Sequence, residues 1–353
     1  MEKVPINLEV DKASRSQNAP GEGSQEPAKE KVELFSKDDI HSHPLFYPNG
    51  HHKPLFDAIR NENLIVFYGA GVSQLAGCCG WVELAKRIIK EFSDNEYSNI
   101  EKDVLTDMAN NDPRKAISIC YSRAKNNNKL EDAYFKAIKE SVTPSNNPKF
   151  ADIHKKLLDL NAICYVTTNI DKGMETVNNM KLTKKKIINA TNPSPSSDLA
   201  KEIRNGNIFY LHGSVDDLRN TIFTIQSYLK FYYKSPAITH FLKKIFGGNF
   251  SVLFIGYSLS EYEILQNIFL SLDAQDKEII QSRHFLLTPI YTKDLAKFNV
   301  EKDFFKIFSV ETIPYFIDYD GYERLSDVLS SLRAKIHEYT PETLKVFKDI
   351  DEV

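Results

Sequence analysis

The sequence predicts an α/β protein built on a doubly wound, mostly parallel sheet, with an inserted or capping helical subdomain. Short apolar runs alternate with segments of helical periodicity, which is typical of this class. Four of the apolar runs also end in Gly, Ser, Thr, Asn or His. Since ligands of doubly wound sheets bind outside the carboxyl ends of the strands, these four ends predict a binding site at one sheet edge.

The first strand and the turn that follows it carry the strongest local signal. Leu64 to Tyr68 is a continuous apolar run, as expected for a parallel strand covered on both faces. Gly69 and Gly71 follow, and helical periodicity begins after Ser73. Strand, glycine turn and helix start form the Rossmann-like geometry that presents backbone N–H groups to a phosphate. Gln74 stands where a third glycine would complete the dinucleotide fingerprint, so a tight packing corner remains an alternative.

The later apolar runs are predicted as strands two to six. They are residues 162–166, 208–211, 252–255, 285–287 and about 313–317. Three of them are followed by polar segments: Thr168-Asn169-Ile170-Asp171, His212-Gly213-Ser214 and Gly256-Tyr257-Ser258. Asn169 and Asp171 have a structural alternative as an Asx turn and helix cap, His212 as a hydrogen-bonded loop histidine, and Ser258 as a helix cap.

The organisation along the chain is predicted from composition and periodicity. Residues 1–45 are predicted as a disordered or loosely docked arm, because the first 32 residues are polar and rich in Pro and Gly. Residues 46–340 are predicted as the Rossmann-like domain, with a helical insert at about 98–160 and one helix over 228–246. Residues 341–353 are predicted as a terminal helix or tail.

Composition excludes several classes of partner. The chain has 353 residues, 42% hydrophobic and 26% charged, with a net charge of -3, which gives no electrostatic case for nucleic acid or an anionic membrane. No apolar run reaches the roughly 18 residues of a membrane span, and no signal peptide is recognised. The expected location is therefore the cytoplasm.

The metal-ligating residue types do not form a recognisable site. The cysteines, predicted to be reduced and mostly buried, are Cys78, Cys79, Cys120 and Cys164. The clustered histidines are His41, His43, His51 and His52, in a segment rich in Pro and Gly. A solvated loop is therefore favoured over a metal site, and no metal is predicted.

Together, the four strand-end motifs resemble the sirtuin-like NAD-binding family, in its bacterial antiphage NADase branch. They are, in family order, Gly69-Ala70-Gly71-Val72-Ser73, Thr168-Asn169-Ile170-Asp171, His212-Gly213-Ser214 and Gly256-Tyr257-Ser258. The resemblance covers residues 64–258, and sheet-like sequence continues to about 318. It implies NAD as the substrate.

The resemblance also implies roles for individual residues. Asn169 and His212 would be the catalytic pair, with Asn169 holding a ribose hydroxyl and the attacking water, and His212, near its ordinary pKa of ~6.5, taking a proton. Asp171 would accept from the nicotinamide carboxamide. The remaining residues of the predicted NAD site are Gly69, Ala70, Gly71, Ser73 and Thr168 near the pyrophosphate and ribose, and Gly256 and Ser258 near the adenosine.

One departure from the deacetylase branch affects the predicted activity. Deacetylase-type sirtuins carry a zinc module with two cysteine pairs before the glycine strand, whereas residues 214–251 contain no cysteine. The predicted activity is therefore NAD+ glycohydrolase, yielding nicotinamide and ADP-ribose, without zinc. An NAD- or ADP-ribose-binding module without turnover and an NAD-dependent protein deacylase remain as alternatives.

The resemblance also suggests how such an activity is used. It implies depletion of cellular NAD during phage infection, by a homo-oligomer or with a regulatory partner. Family relatives use a HerA-type ATPase, an Argonaute or a fused sensor domain, or respond to a phage protein as trigger, and nothing in the sequence selects among them.

Overall fold

The computed structural model describes most of the chain. The described residues are 36–42, 45–48, 50–92, 97–144, 152–160, 162–182, 184–192, 198–203, 206–259, 261–271 and 283–339. Of the predicted N-terminal arm, residues 1–35 lie outside this set, and the predicted tail at 341–353 lies outside it entirely. The first described helix, at residues 37–42, is held to Asp320 by Lys37 and by His41.

The centre of the molecule is a seven-stranded sheet in which every described pairing is parallel. Its strands are β1 Leu64–Tyr68, β2 Cys164–Thr167, β3 Ile187–Asn189, β4 Ile208–Tyr210, β5 Ser251–Ile255, β6 His284–Ile290 and β7 Val310–Phe316. The order is β3-β4-β2-β1-β5-β6-β7. The chain builds outwards from β1 through β2 on one side and returns to β5 on the other. The strand order therefore reverses beside β1, which is where doubly wound sheets bind ligands.

Helices cover both faces of this sheet. They are α1 Lys37–Ser42, α2 Lys53–Arg60, α3 Ala70–Leu75, α4 Trp81–Glu91, α5 Asn99–Asn111, α6 Pro113–Ala124, α7 Asn128–Ser141, α8 Ile153–Leu158, α9 Gly173–Met180, α10 Ile225–Lys234, α11 Pro236–Gly247, α12 Tyr262–Ser271, α13 Leu295–Lys306 and α14 Arg324–Tyr339. The predicted α/β doubly wound fold is confirmed. Among the described residues, no helix has the length and apolarity needed to cross a bilayer.

Two details of the predicted elements were wrong. The strand β3 was not predicted, because its apolar run is only Ile187-Ile188 and its burial alternates at the sheet edge. The single helix predicted over 228–246 is two helices, α10 and α11. Pro236 lacks the N–H that would continue α10, and the Ser235 hydroxyl accepts from the Ile238 amide to begin α11.

The apolar side chains form three cores. On β1, Ile65 and Phe67 face the core that contains α10 and α11, whereas Val66 and Tyr68 face the core beneath α8 and α14. All five residues of β1 are buried, which explains its unbroken apolar sequence. A third core joins α4, α5, α6 and α7, so these helices form a packed unit beside the sheet. By contrast, α8 packs against α9 and α14.

Candidate functional site

The glycine turn brings the ends of β1 and β5 into direct backbone contact. The N–H of Gly69 donates to the Ile255 carbonyl at 3.0 Å, and the N–H of Gly71 donates to the Gly256 carbonyl at 2.8 Å. A Cβ on Gly71 would lie 2.9 Å from the Gly256 Cα. These two amides were expected to face a pyrophosphate, and here they are bonded to β5 instead. Ala70 and Gly71 are the partly exposed positions of this turn.

The side-chain amide of Asn169 is fixed in one orientation above this turn. Its Nδ2 donates to the Gly69 carbonyl at 2.9 Å and to the Ser73 hydroxyl at 2.7 Å. Its own backbone N–H donates to the Thr167 hydroxyl at 3.0 Å. With both amide protons engaged, the Oδ1 atom has no bond to a described residue. It is therefore available to accept from a water or a ribose hydroxyl.

Asp171 is the centre of a buried polar network behind Asn169. Its Oδ2 accepts from the Ser73 hydroxyl at 2.5 Å, and its Oδ1 accepts from the Gly173 amide at 2.8 Å. The Nε2 atom of His154 on α8 lies 3.6 Å from the same Oδ1. The carboxylate thus accepts from the amide of Gly173, the first residue of α9, and also holds Ser73, which in turn holds Asn169. This geometry favours a supporting role for Asp171 over direct contact with the carboxamide.

His154 was not singled out in the sequence. Burial lowers its pKa, and the charge of Asp171 opposes that shift. The ring fits only because Gly173 has no side chain, since a Cβ there would overlap the imidazole. A lone histidine on a helix before a strand is more often a core residue than a functional one. Only the contact of His154 with Gly173 in the folded structure marks it as part of this polar network.

His212 is enclosed by tyrosines from α10. Its Nε2 lies 2.7 Å from the Tyr232 hydroxyl and its Nδ1 lies 3.4 Å from the Tyr228 hydroxyl. The residue is 1% exposed. Burial, with the nearby Arg114 charge, lowers the pKa of His212 to about 3, and the Thr168 backbone opposes the shift. The expected pKa near ~6.5 was therefore wrong, because an imidazolium at this position would lose its hydration.

The sheet register brings the predicted catalytic pair to neighbouring positions. Thr167 of β2 pairs with Tyr210 of β4, so Asn169 and His212 each follow their strand by two residues at the same edge. Thr168 is partly exposed beside them. Gly256 lies at this edge as well, in the left-handed region with φ +58°, and Ser258 is exposed. The four predicted segments therefore converge.

A charged group and a cavity border the tyrosines that enclose His212. The Arg114 guanidinium of α6 lies 4.9 Å from the centre of the Tyr228 ring and 3.9 Å from the Glu263 carboxylate. A cavity of about 190 Å³ lies here, lined by Asp112, Arg114, Ile225, Tyr228, Leu229 and Glu263. Sequence reasoning missed these residues, because α6 and α10 are distant in the chain and no motif links them.

Among the described residues, one cluster has metal-ligating side chains within reach of one another, formed by His51, His52 and Glu311. The Nδ1 atom of His52 accepts from the Tyr47 amide at 3.1 Å, which leaves the proton on Nε2, the nitrogen that faces Glu311. Metal ligation through that Nε2 would need the opposite tautomer. The local bonds therefore favour a neutral imidazole here. The four cysteines are free thiols, as predicted, and Cys78, Cys120 and Cys164 are buried.

The sheet, its switch point and the converging polar segments define a Rossmann-like α/β protein. Residues 163–311 match the model of the SIR2-like domain, and this range contains three of the four motifs on which the sirtuin-like resemblance rests. Defense-associated sirtuin 2 of Bacillus subtilis is 25% identical over 292 residues, covering 79% of this chain and 26% of that protein. NAD(+) hydrolase ThsA of Enterococcus faecium is 23% identical over 305 residues, covering 80% of this chain and 58% of that protein. The chain therefore spans only part of the length of both relatives.

Proposed function

We propose that this protein is an NAD+ glycohydrolase that cleaves NAD+ to nicotinamide and ADP-ribose. In this reaction water attacks the anomeric carbon of the nicotinamide ribose, and the bonding electrons of the glycosidic bond pass to the pyridine nitrogen. One proton is released from the water. Asn169 would hold the water or a ribose hydroxyl, and His212 would take up the proton.

The orientation of the Asn169 amide is the observation that carries this proposal. Its two donors are occupied by Gly69 and Ser73, so its remaining acceptor is fixed at the sheet edge beside His212. Fixing a polar group before the substrate arrives removes the reorganisation that would otherwise slow the reaction. The relative named NAD(+) hydrolase ThsA supports the same activity.

The biological role that we propose is antiphage defence by depletion of NAD. The relative named Defense-associated sirtuin 2 supports this role. An enzyme of this kind must be inactive before infection, so we propose control by homo-oligomerisation or by a regulatory partner. We propose that the protein acts in the cytoplasm, where NAD+ is abundant.

One observation favours binding without turnover as a second candidate. In this structure Tyr232 occupies the Nε2 of His212, and the lowered pKa of the imidazole makes it a weak base on its own. A protein closed in this way would bind NAD+ or ADP-ribose as a signal. Deacylation is the third candidate, and it differs from the other two in requiring an acylated lysine peptide.

These candidates separate in one assay. The full chain is incubated with NAD+, with and without an acetylated lysine peptide, and nicotinamide and ADP-ribose are quantified. We expect equal amounts of both products with no dependence on the peptide. Release that requires the peptide would identify a deacylase, and binding of NAD+ without any product would identify a binding module.

A further inference from the structure

His154 has a buried ring nitrogen without a hydrogen-bond partner among the described residues. The residue is 3% exposed, and this nitrogen, Nε2, lies 3.6 Å from the Oδ1 of Asp171. That separation is too long for a hydrogen bond. A buried polar atom without a partner costs stability, and a catalytic role is one reason for which proteins keep such atoms.

The chain makes room for the imidazole at Gly173, the first residue of α9. A Cβ on Gly173 would lie 2.6 Å from the Nε2 of His154, so a larger residue would displace the ring. The amide of the same glycine donates to the Asp171 Oδ1 at 2.8 Å. The imidazole therefore lies against both the carboxylate oxygen and the residue whose amide is bonded to it.

The helix that carries His154 is fixed by contacts outside the site. On α8, the Nζ of Lys156 donates to the Ser326 hydroxyl of α14 at 2.5 Å. The carbonyl of Leu158 accepts from the buried Tyr165 hydroxyl at 2.8 Å. The position of the imidazole is therefore set by the packing of α8, before any substrate arrives.

A continuous series of contacts leads from His154 to the amide that we assign to the reaction. The Oδ2 of Asp171 accepts from the Ser73 hydroxyl at 2.5 Å, and that hydroxyl accepts from the Asn169 Nδ2 at 2.7 Å. Because a carboxylate is planar, the position of its Oδ1 also sets the direction of its Oδ2. A shift of Oδ1 would therefore move the acceptor that holds Ser73.

We propose that His154 is a positioning residue for NAD+ cleavage. Its Nε2 holds the Asp171 carboxylate in the orientation that keeps Ser73 and Asn169 in place. This inference rests on the proposed NAD+ hydrolysis. Burial lowers the pKa of His154, so the imidazole is neutral at pH 7 and bears one proton. With that proton on Nε2, the ring donates to Oδ1 once substrate binding tightens the site, since catalytic hydrogen bonds are often long in unliganded structures.

Two substitutions separate the N–H donor of His154 from the volume that the ring fills. His154→Gln keeps a donor, whereas His154→Leu fills the space without one. In assays of nicotinamide release by the full chain, we expect His154→Leu to lower kcat about tenfold or more, with KM for NAD+ within about twofold. His154→Gln should retain about half or more of the wild-type kcat. Wild-type kcat in His154→Leu overturns the inference.

The contact with Gly173 distinguishes positioning from space filling. Gly173→Ala alone should lower both Tm and kcat, because its Cβ displaces the imidazole. Combining it with His154→Ala removes that clash, so the double variant should have a higher Tm than Gly173→Ala. Its kcat should nevertheless stay as low as that of His154→Leu. Recovery of wild-type kcat in the double variant would show that the imidazole only fills space, and would overturn the inference.

A readout without turnover separates this inference from the proposed function. In protein labelled with ¹⁵N-asparagine, the side-chain amide signals of Asn169 are assigned by their loss in Asn169→Ala. They should shift in His154→Leu and stay near their wild-type positions in His154→Gln. If they do so and the wild type cleaves no NAD+, the proposed function fails and the positioning of the amide stands. If NAD+ is cleaved and these signals ignore His154→Leu, the inference fails.

Discussion

At the scale of single residues, the environment of each polar side chain decides what it can do. His212 and Asn169 lie at the same sheet edge. His212 is 1% exposed and enclosed by aromatic side chains, whereas the side-chain oxygen of Asn169 has no bond to a described residue. The enclosure keeps the imidazole neutral, because burial penalises its charged form. Asn169 needs no such shift, since an amide donates and accepts without titrating.

Ser73 links Asn169 to the buried Asp171, so its hydroxyl should matter for turnover. Ser73→Ala removes an acceptor for the Asn169 amide and a donor to the carboxylate. Since the bond involves a charged group, we expect kcat for NAD+ cleavage to fall about tenfold or more. Steady-state kinetics measure this fall. Ser330→Ala, which removes a hydroxyl bonded within α14, is the matched control and should keep wild-type kinetics. Equal kinetics for the two variants would contradict the linking role.

His284 provides a test of stability against pH. Burial lowers its pKa to about 3, and its Nδ1 accepts from the Val252 amide at 3.2 Å. The unfolded chain binds a proton at this residue below ~6.5, so the free energy of unfolding should fall as pH drops from there towards 3. At pH 5 the loss from this residue is about 2 kcal/mol.

The His284→Asn variant keeps an acceptor and removes the titration. Urea unfolding at pH 7.5 and at pH 5 should therefore show a smaller difference in the variant, by about 2 kcal/mol. His337→Asn, at an exposed position, should retain the wild-type difference. If both variants retain it, the imidazole of His284 is not held neutral by burial.

At the scale of elements, the site depends on two strand ends that approach at backbone distance. A Cβ on Gly256 would lie 2.7 Å from the Val72 amide nitrogen, and Gly256 has φ +58°. The turn between β1 and α3 and the end of β5 are therefore packed as one unit. Asn169 is bonded to that unit through Gly69, so a shift in β5 should reach the site.

Gly256→Ala tests this packing against a control with the same backbone conformation. Gly321 also has φ +58°, but a Cβ there would meet nothing within 4 Å. We expect Gly321→Ala to cost about 1 kcal/mol of unfolding free energy from the left-handed backbone alone. Gly256→Ala should cost about 3 kcal/mol, because it adds a backbone clash. Thermal and urea unfolding measure both, and equal costs would show that the strand ends are not tightly packed.

At the scale of the whole molecule, the sequence predicted the sheet and the convergence of its strand ends for a clear reason. The central strand β1 is an unbroken apolar run, its neighbours β2, β4 and β5 are mostly apolar, and parallel strands end at one edge. The β2 and β4 ends therefore brought Asn169 and His212 together without knowledge of side-chain packing. In β3 only Ile187 and Ile188 are consecutive apolar residues, which is too short a run for the same reasoning.

What surrounds the site was not predictable in this way. Tyr228 and Tyr232 reach His212 from α10, a separate element that packs against the end of β4. The lowered pKa of His212 follows from that packing and cannot be predicted from the local sequence. Glu261 and His154 are likewise single polar residues whose neighbours come from other elements.

The central claim is that one sheet edge binds NAD+ and cleaves it with Asn169 and His212. The most direct measurement follows NAD+ binding and nicotinamide release in wild type, Asn169→Ala and His212→Ala under single-turnover conditions. The account predicts wild-type affinity in all three proteins, with release at least about 100-fold slower in both variants. Wild-type release rates in either variant, or bound NAD+ that the wild type never cleaves, would contradict it.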